Sequence, residues 1–161
     1  MQRSLKACRI ARRGLLLGLV ALPLAHTWAA SSKPVVEVWK APTCGCCKDW
    51  IAYLEANGFA VKPHDIDSNP VRLKLGMPKQ FASCHTATVG GYAIEGHVPV
   101  REIRRLLREK PAAVGLAVPG MPVGAPGMDG PAYNNRRDPY AVLLVARDGA
   151  ATIFQTYRPQ P

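Results

Sequence analysis

An α/β domain is predicted from three observations. Runs rich in β-branched residues alternate with segments of helical periodicity. Proline and glycine fall where helices should start and stop, and three clustered cysteines sit where the first strand-like run gives way to the first helical segment. Val35-Val36-Glu37-Val38-Trp39-Lys40 is the first strand, read as buried. The run Thr43-Cys44-Gly45-Cys46-Cys47 follows and opens a helix from about Cys46 to Ala56, with Trp50, Ile51 and Leu54 on its apolar face. Asn57-Gly58 closes that helix as a left-handed cap. Phe59 to Asp65 alternates as a second strand, and Asp67-Ser68-Asn69-Pro70 starts a second helix that Gly76-Met77-Pro78 stops.

Thr86 to Val89 and Tyr92 to Glu95 flank Gly90-Gly91, a two-residue hairpin signal. Val98 to Lys110 is a strongly patterned helix, with Val100, Ile103, Leu106 and Leu107 on one face. Arg101, Arg104, Arg105 and Arg108 line the other, as an ordinary solvated face or a surface for an acidic partner. Residues 111–131 hold five prolines and five glycines and are predicted to have no regular structure. Tyr140 to Ala146 and Ala151 to Tyr157, joined around Asp148-Gly149, read as a closing β-hairpin. The order β-α-β-α-β-β-α, with a helix opening at a cysteine loop after the first strand, is that of a thioredoxin-like core. A Pro/Gly-rich loop and a C-terminal β-hairpin are added to it.

Residues 1–29 read as a secretory signal. Arg3, Lys6, Arg9, Arg12 and Arg13 form an acid-free basic region, Gly14 to Leu24 is apolar, and Thr27-Trp28-Ala29 offers small residues at a cleavage site. The apolar stretch falls short of the roughly 20 residues of a spanning helix, and Pro23 also argues against an uncleaved anchor. Arg12-Arg13 admits a twin-arginine route. Export to a bacterial periplasm is therefore expected, with residues 30–161 as one domain and no membrane span after cleavage. The chain carries 21 Lys and Arg against 11 Asp and Glu, and five of the basic residues lie in the leader, leaving +5. With no aromatics interleaved, that modest excess excludes a nucleic-acid partner.

Cys44, Cys46, Cys47 and Cys84 remain after the leader, which takes Cys8. Two structural disulfides are the ordinary expectation for four cysteines in an oxidising compartment. The spacing argues against them, because adjacent Cys46 and Cys47 cannot easily bridge and one distant thiol faces three clustered ones. Cys44-Gly45-Cys46-Cys47 has the Cys-x-x-Cys spacing of a redox pair, with Cys44 at a helix N-terminus where thiolates are stabilised. A third thiol at the intervening position suits soft Cu(I), which prefers sulfur ligands. In the predicted core, the segment before the third strand adjoins the cysteine loop, bringing Cys84 to the same pocket. His85 is then a nitrogen ligand or a hydrogen-bonded structural histidine. Four thiolates repel one another unless cations neutralise them, so more than one Cu(I) with bridging sulfur is expected.

Three methionines besides Met1 each follow a glycine. Met121 and Met128 lie in the Pro/Gly segment, as a lid over the sulfur pocket or as adaptable apolar packing. Met77 reads as core or pocket wall, and His64 and His97 read as turn or surface histidines. Two other readings of the sulfurs stay open. One is a thiol–disulfide oxidoreductase with Cys44 as nucleophile and Cys47 as resolving thiol; the other is a zinc or iron–sulfur site.

Four motifs carry a resemblance: Pro42-Thr43-Cys44-Gly45-Cys46-Cys47, Ser83-Cys84-His85-Thr86-Ala87, the segment Gly91 to Pro99, and the segment Gly115 to Pro122. Together they resemble the CopG-type copper-resistance family. The resemblance implies an exported thioredoxin-like protein that binds copper through its cysteines, serves copper tolerance and changes the metal's oxidation state as a copper oxidoreductase. The partners expected are copper ions and, transiently, copper efflux or redox proteins.

Overall fold

The computed structural model describes residues 32–159. The predicted export signal, residues 1–29, lies outside them. One sheet of seven strands has the order β2-β1-β3-β4-β5-β6-β7. Its β1 (Val35–Lys40) runs parallel to β2 (Ala60–Asp65) and antiparallel to β3 (His85–Val89), which pairs antiparallel with β4 (Tyr92–Glu95). Helix α1 (Gly45–Ala56) makes the crossover from β1 to β2, α2 (Asn69–Lys74) precedes β3, and α3 (Val100–Glu109) follows β4. The predicted β-α-β-α-β-β-α succession is present, with element ends shifted by a residue or two.

Each face of the sheet buries its own apolar set. Val36, Val38, Ala87, Val89 and Ile94 pack against Trp50 and Leu54 of α1 and Ile103 and Leu106 of α3. Ala93, Ala117 and Val145 on the opposite face pack against Met77 and Phe81, so Met77 is core. The alternation of strand side chains makes this division possible. It also puts His85 and Thr86, neighbours in sequence, on opposite faces.

Past Pro111 the sequence-based expectation needs correcting. The segment predicted to lack regular structure contributes β5 (Gly115–Ala117), parallel to β4 and antiparallel to β6 (Tyr140–Val145). Gly115 here permits a close approach rather than breaking structure, since a Cβ would stand 1.7 Å from the Ala93 carbonyl oxygen. β6 and β7 (Ala151–Tyr157) form the predicted hairpin, which extends the same sheet through β5. Helix α3 ties the hairpin down: the Tyr157 hydroxyl donates to Glu102, and Arg105 donates to the Phe154 carbonyl at 2.9 Å. Arg104 donates to the Asn57 carbonyl, so half of the predicted arginine face serves internal contacts.

Lys40 ends β1 with its ammonium buried, 2.5 Å from Asp65 Oδ1. The bond from that ammonium holds the Asp65 carboxyl below its usual range. A carboxylate with a depressed folded-state pKa adds stability that is present above its unfolded pKa and lost as pH falls through the folded one. Asp65→Asn should therefore melt below wild type at neutral pH, with a gap that shrinks below about pH 4 and closes in stronger acid. Circular-dichroism melts across pH check this; no gap at neutral pH, or a gap that does not change with pH, would show that the ionised pair is not a source of stability.

Candidate metal centre

The sulfur pocket forms where β1 ends. Cys44 caps α1 from an extended conformation, its N–H donating to the Ala41 carbonyl at 3.1 Å, so Cys46 and Cys47 enter the first helical turn. Cys84 stands immediately before β3, whose His85 pairs across the ladder with Lys40 at the end of β1. The four cysteine Sγ atoms all lie within 4.8 Å of one another. Cys44 Sγ is 3.6 Å from Cys46 Sγ, and Cys46 Sγ is 3.9 Å from Cys84 Sγ. Cys44 and Cys47 are joined as a disulfide; Cys46 and Cys84 are free thiols. The two structural disulfides weighed from the cysteine count are thus absent from the described residues, where one bond links the Cys-x-x-Cys pair.

Two buried imidazoles complete the pocket. His85 Nε2–H donates to the Gly96 carbonyl at 3.0 Å, which turns the bare Nδ1 toward Cys84 Sγ at 3.3 Å. His97 Nδ1–H donates to the Pro126 carbonyl at 2.8 Å, which turns Nε2 toward the same sulfur at 3.1 Å. Backbone acceptors thereby fix both tautomers, as they do for metal-ligating histidines. Trp50 of α1 packs its ring 4.4 Å from that of His85 and donates its indole N–H to the Val98 carbonyl. Cys84 Sγ, His85 Nδ1 and His97 Nε2 thus form a second convergent group that shares Cys84 with the first. Of the reading of His97 as a turn or surface histidine, the turn holds, at the bend after β4, and the surface is corrected: His97 is fully buried and faces the sulfur pocket. Its Gly96 and Pro99 neighbours are turn signals, and they hid that antiparallel β4 returns the chain to the end of the sheet where Cys84 lies.

The Pro/Gly segment covers this end of the molecule. A Cβ at Gly127, whose φ is +80°, would stand 2.7 Å from Trp50 N and 2.8 Å from the Cys46 carbonyl oxygen, so the strap lies directly on α1. Met128 is buried and accepts a hydrogen bond from the Tyr133 hydroxyl at 3.3 Å, while Met121 is exposed. His64 lies away from the pocket, stacked on Trp39.

Burial, reinforced by neighbouring Cys46, pushes the Cys84 thiol up to about 12. Burial lowers His85 to about 3 and also lowers His97, so both rings are neutral at physiological pH. A soft cation entering this pocket must displace the Cys84 proton but none from the imidazoles. Reducing the Cys44–Cys47 bond takes two electrons and two protons and yields four thiols.

Fold and site define an α/β protein with a thiol-rich centre suited to soft-metal or disulfide chemistry. A family model described as a protein of unknown function, DUF411, matches residues 81–128, the stretch that carries Cys84, His85, His97 and Met128. Two solved structures named copper resistance protein CopG are similar to the chain. Form 2 is 43% identical, with 78% of this chain and 99% of the other covered at a TM-score of 0.71. Form 1 is 44% identical, with 79% and 100% covered at the same TM-score. The chain belongs to the CopG-type copper-resistance family. No curated protein matches it.

Proposed function

We propose that this protein is a periplasmic copper-binding protein of copper resistance, exported by the signal in residues 1–29. Family membership and the cysteine cluster support a copper-related role. Among the described residues no helix is long and apolar enough to cross a membrane. Cys44, Cys46, Cys47 and Cys84 would hold Cu(I), His85 assisting and His97 joining it through Cys84. The observation that carries the reading is the convergence of sulfurs from two distant segments within 4.8 Å. Soft Cu(I) suits thiolates and Cu(II) suits imidazoles, so a pocket with both serves both oxidation states. The redox step balances within the site. Two Cu(II) ions would take one electron each from the Cys44 and Cys47 thiols, giving two Cu(I), the disulfide and two released protons; Cys46, Cys84 and the imidazoles would hold Cu(I) until the bond is reduced and all four thiols are available again.

Titrating the reduced protein with Cu(I) against a chromogenic chelator should show tight uptake that Cys44→Ser/Cys47→Ser abolishes. No tight uptake, or uptake indifferent to those substitutions, would sink the reading. The Cys44–Cys47 bond also favours a thiol–disulfide oxidoreductase, with Cys44 as the attacking sulfur. An insulin-reduction assay separates the two, because a dedicated metal site turns over little. Metal analysis of protein purified without added copper distinguishes a resident zinc or iron–sulfur centre.

A further inference from the structure

Cys84 belongs to no helix, and the residues just before it lie outside any strand. Something else must hold its sulfur beside Cys46, and the opposite face of the sheet supplies it. Ser83 N–H donates to Glu95 Oε1 at 2.7 Å, and Ser83 C=O accepts from Arg72 Nη2 at 3.1 Å. Arg72 Nε donates to the same Glu95 oxygen at 2.9 Å, and Thr86 Oγ1 donates to the other at 2.7 Å. The remaining Arg72 donors reach Asn69 and Ser68 within α2 and its cap. The Arg72 and Glu95 side chains are 4% and 0% exposed.

We propose that Arg72 and Glu95 are positioning residues: a buried ion pair that grips both backbone polar groups of Ser83 and sets the place of the Cys84 sulfur. The inference rests on the copper reading only for its functional consequence. His85 anchors the chain to Gly96 on the α1 face, while this clamp anchors it on the α2 face. Cys84 is the residue between the two anchors, so its side chain has little freedom to leave the pocket. A buried charge pair is a poor device for stability alone, because desolvation opposes the attraction. Holding a specific geometry is the better-attested use of such a pair.

The position can be read without copper. In the full chain carrying Cys8→Ser, with the Cys44–Cys47 bond intact, Cys46 and Cys84 are the two free thiols. Dibromobimane fluoresces once both its arms are alkylated, so it reports their proximity, and Cys46→Ser supplies the blank. Arg72→Met should crosslink about tenfold more slowly than wild type, because reaction between neighbouring groups falls steeply with misplacement. Arg72→Lys, which keeps the charge opposite Glu95 but lacks the second arm to Ser83, should fall between them and tests the idea if Arg72→Met does not fold. Glu102→Gln removes a buried carboxylate outside the pocket and calibrates general destabilisation; it should crosslink at the wild-type rate. Wild-type rates in both folded Arg72 variants would overturn the proposal, as would equal slowing in Glu102→Gln at matched melting temperature. A protein that crosslinks as expected yet takes up no copper would leave the clamp standing and remove the copper reading.

Discussion

Cys84→Ser is expected to weaken Cu(I) binding by at least about 100-fold, since even the outer-shell partners of a metal ligand are worth about 10–100-fold. Cys84 is the one sulfur supplied from outside the α1 loop, and it belongs to both convergent groups. Its loss leaves three sulfurs on one side and two imidazoles on the other with nothing between them. Serine fills nearly the same space but offers a hard hydroxyl that soft Cu(I) does not favour. The substitution separates ligation from packing, because Cys84 contributes no side chain to either apolar cluster. Competition against a chromogenic Cu(I) chelator measures the loss, and a melting temperature close to wild type shows that the fold survives. An unchanged affinity would mean that copper is held by the α1 loop alone.

The largest effect on stability is expected from Trp50→Ala, at about 3–5 kcal/mol. Trp50 is fully buried in the main core and touches three parts of the site at once. Its ring packs on His85, its indole N–H satisfies the Val98 carbonyl, and the strap at Gly127 lies on its backbone. Truncation therefore opens a cavity, leaves a buried carbonyl without its donor, and frees the His85 ring beside Cys84. Trp50→Phe should recover much of the stability by refilling the cavity, without restoring the hydrogen bond to Val98. Denaturant midpoints at constant m-value test this; a loss below about 1 kcal/mol would show that the site collapses around the vacancy more easily than its packing implies.

The parts of the centre legible from sequence are those that local spacing and topology dictate. Three cysteines in one short run must lie close together wherever the run goes. Cys84 was placed by the predicted core, because the residue before the third strand meets the end of the first, as the Lys40–His85 pairing bears out. His97 was hidden by flanking turn residues, although the return of β4 beside β3 was available to find it. β5 was missed because three residues are too few to show a period, and because Gly115 reads as a breaker when its role is to admit the Ala93 carbonyl. The Arg72–Glu95 clamp joins residues 23 apart on two elements, and nothing in either local pattern announces it.

The central claim is that sulfurs from two segments share one soft-cation pocket. Copper X-ray absorption on the reduced, Cu(I)-loaded protein and on Cys84→Ser tests it most directly, with elemental analysis of the same samples giving the copper count. The account predicts a sulfur-dominated shell in wild type that loses sulfur, and copper, when Cys84 is replaced. A shell of nitrogen and oxygen, or one that is identical in the two proteins, would contradict it.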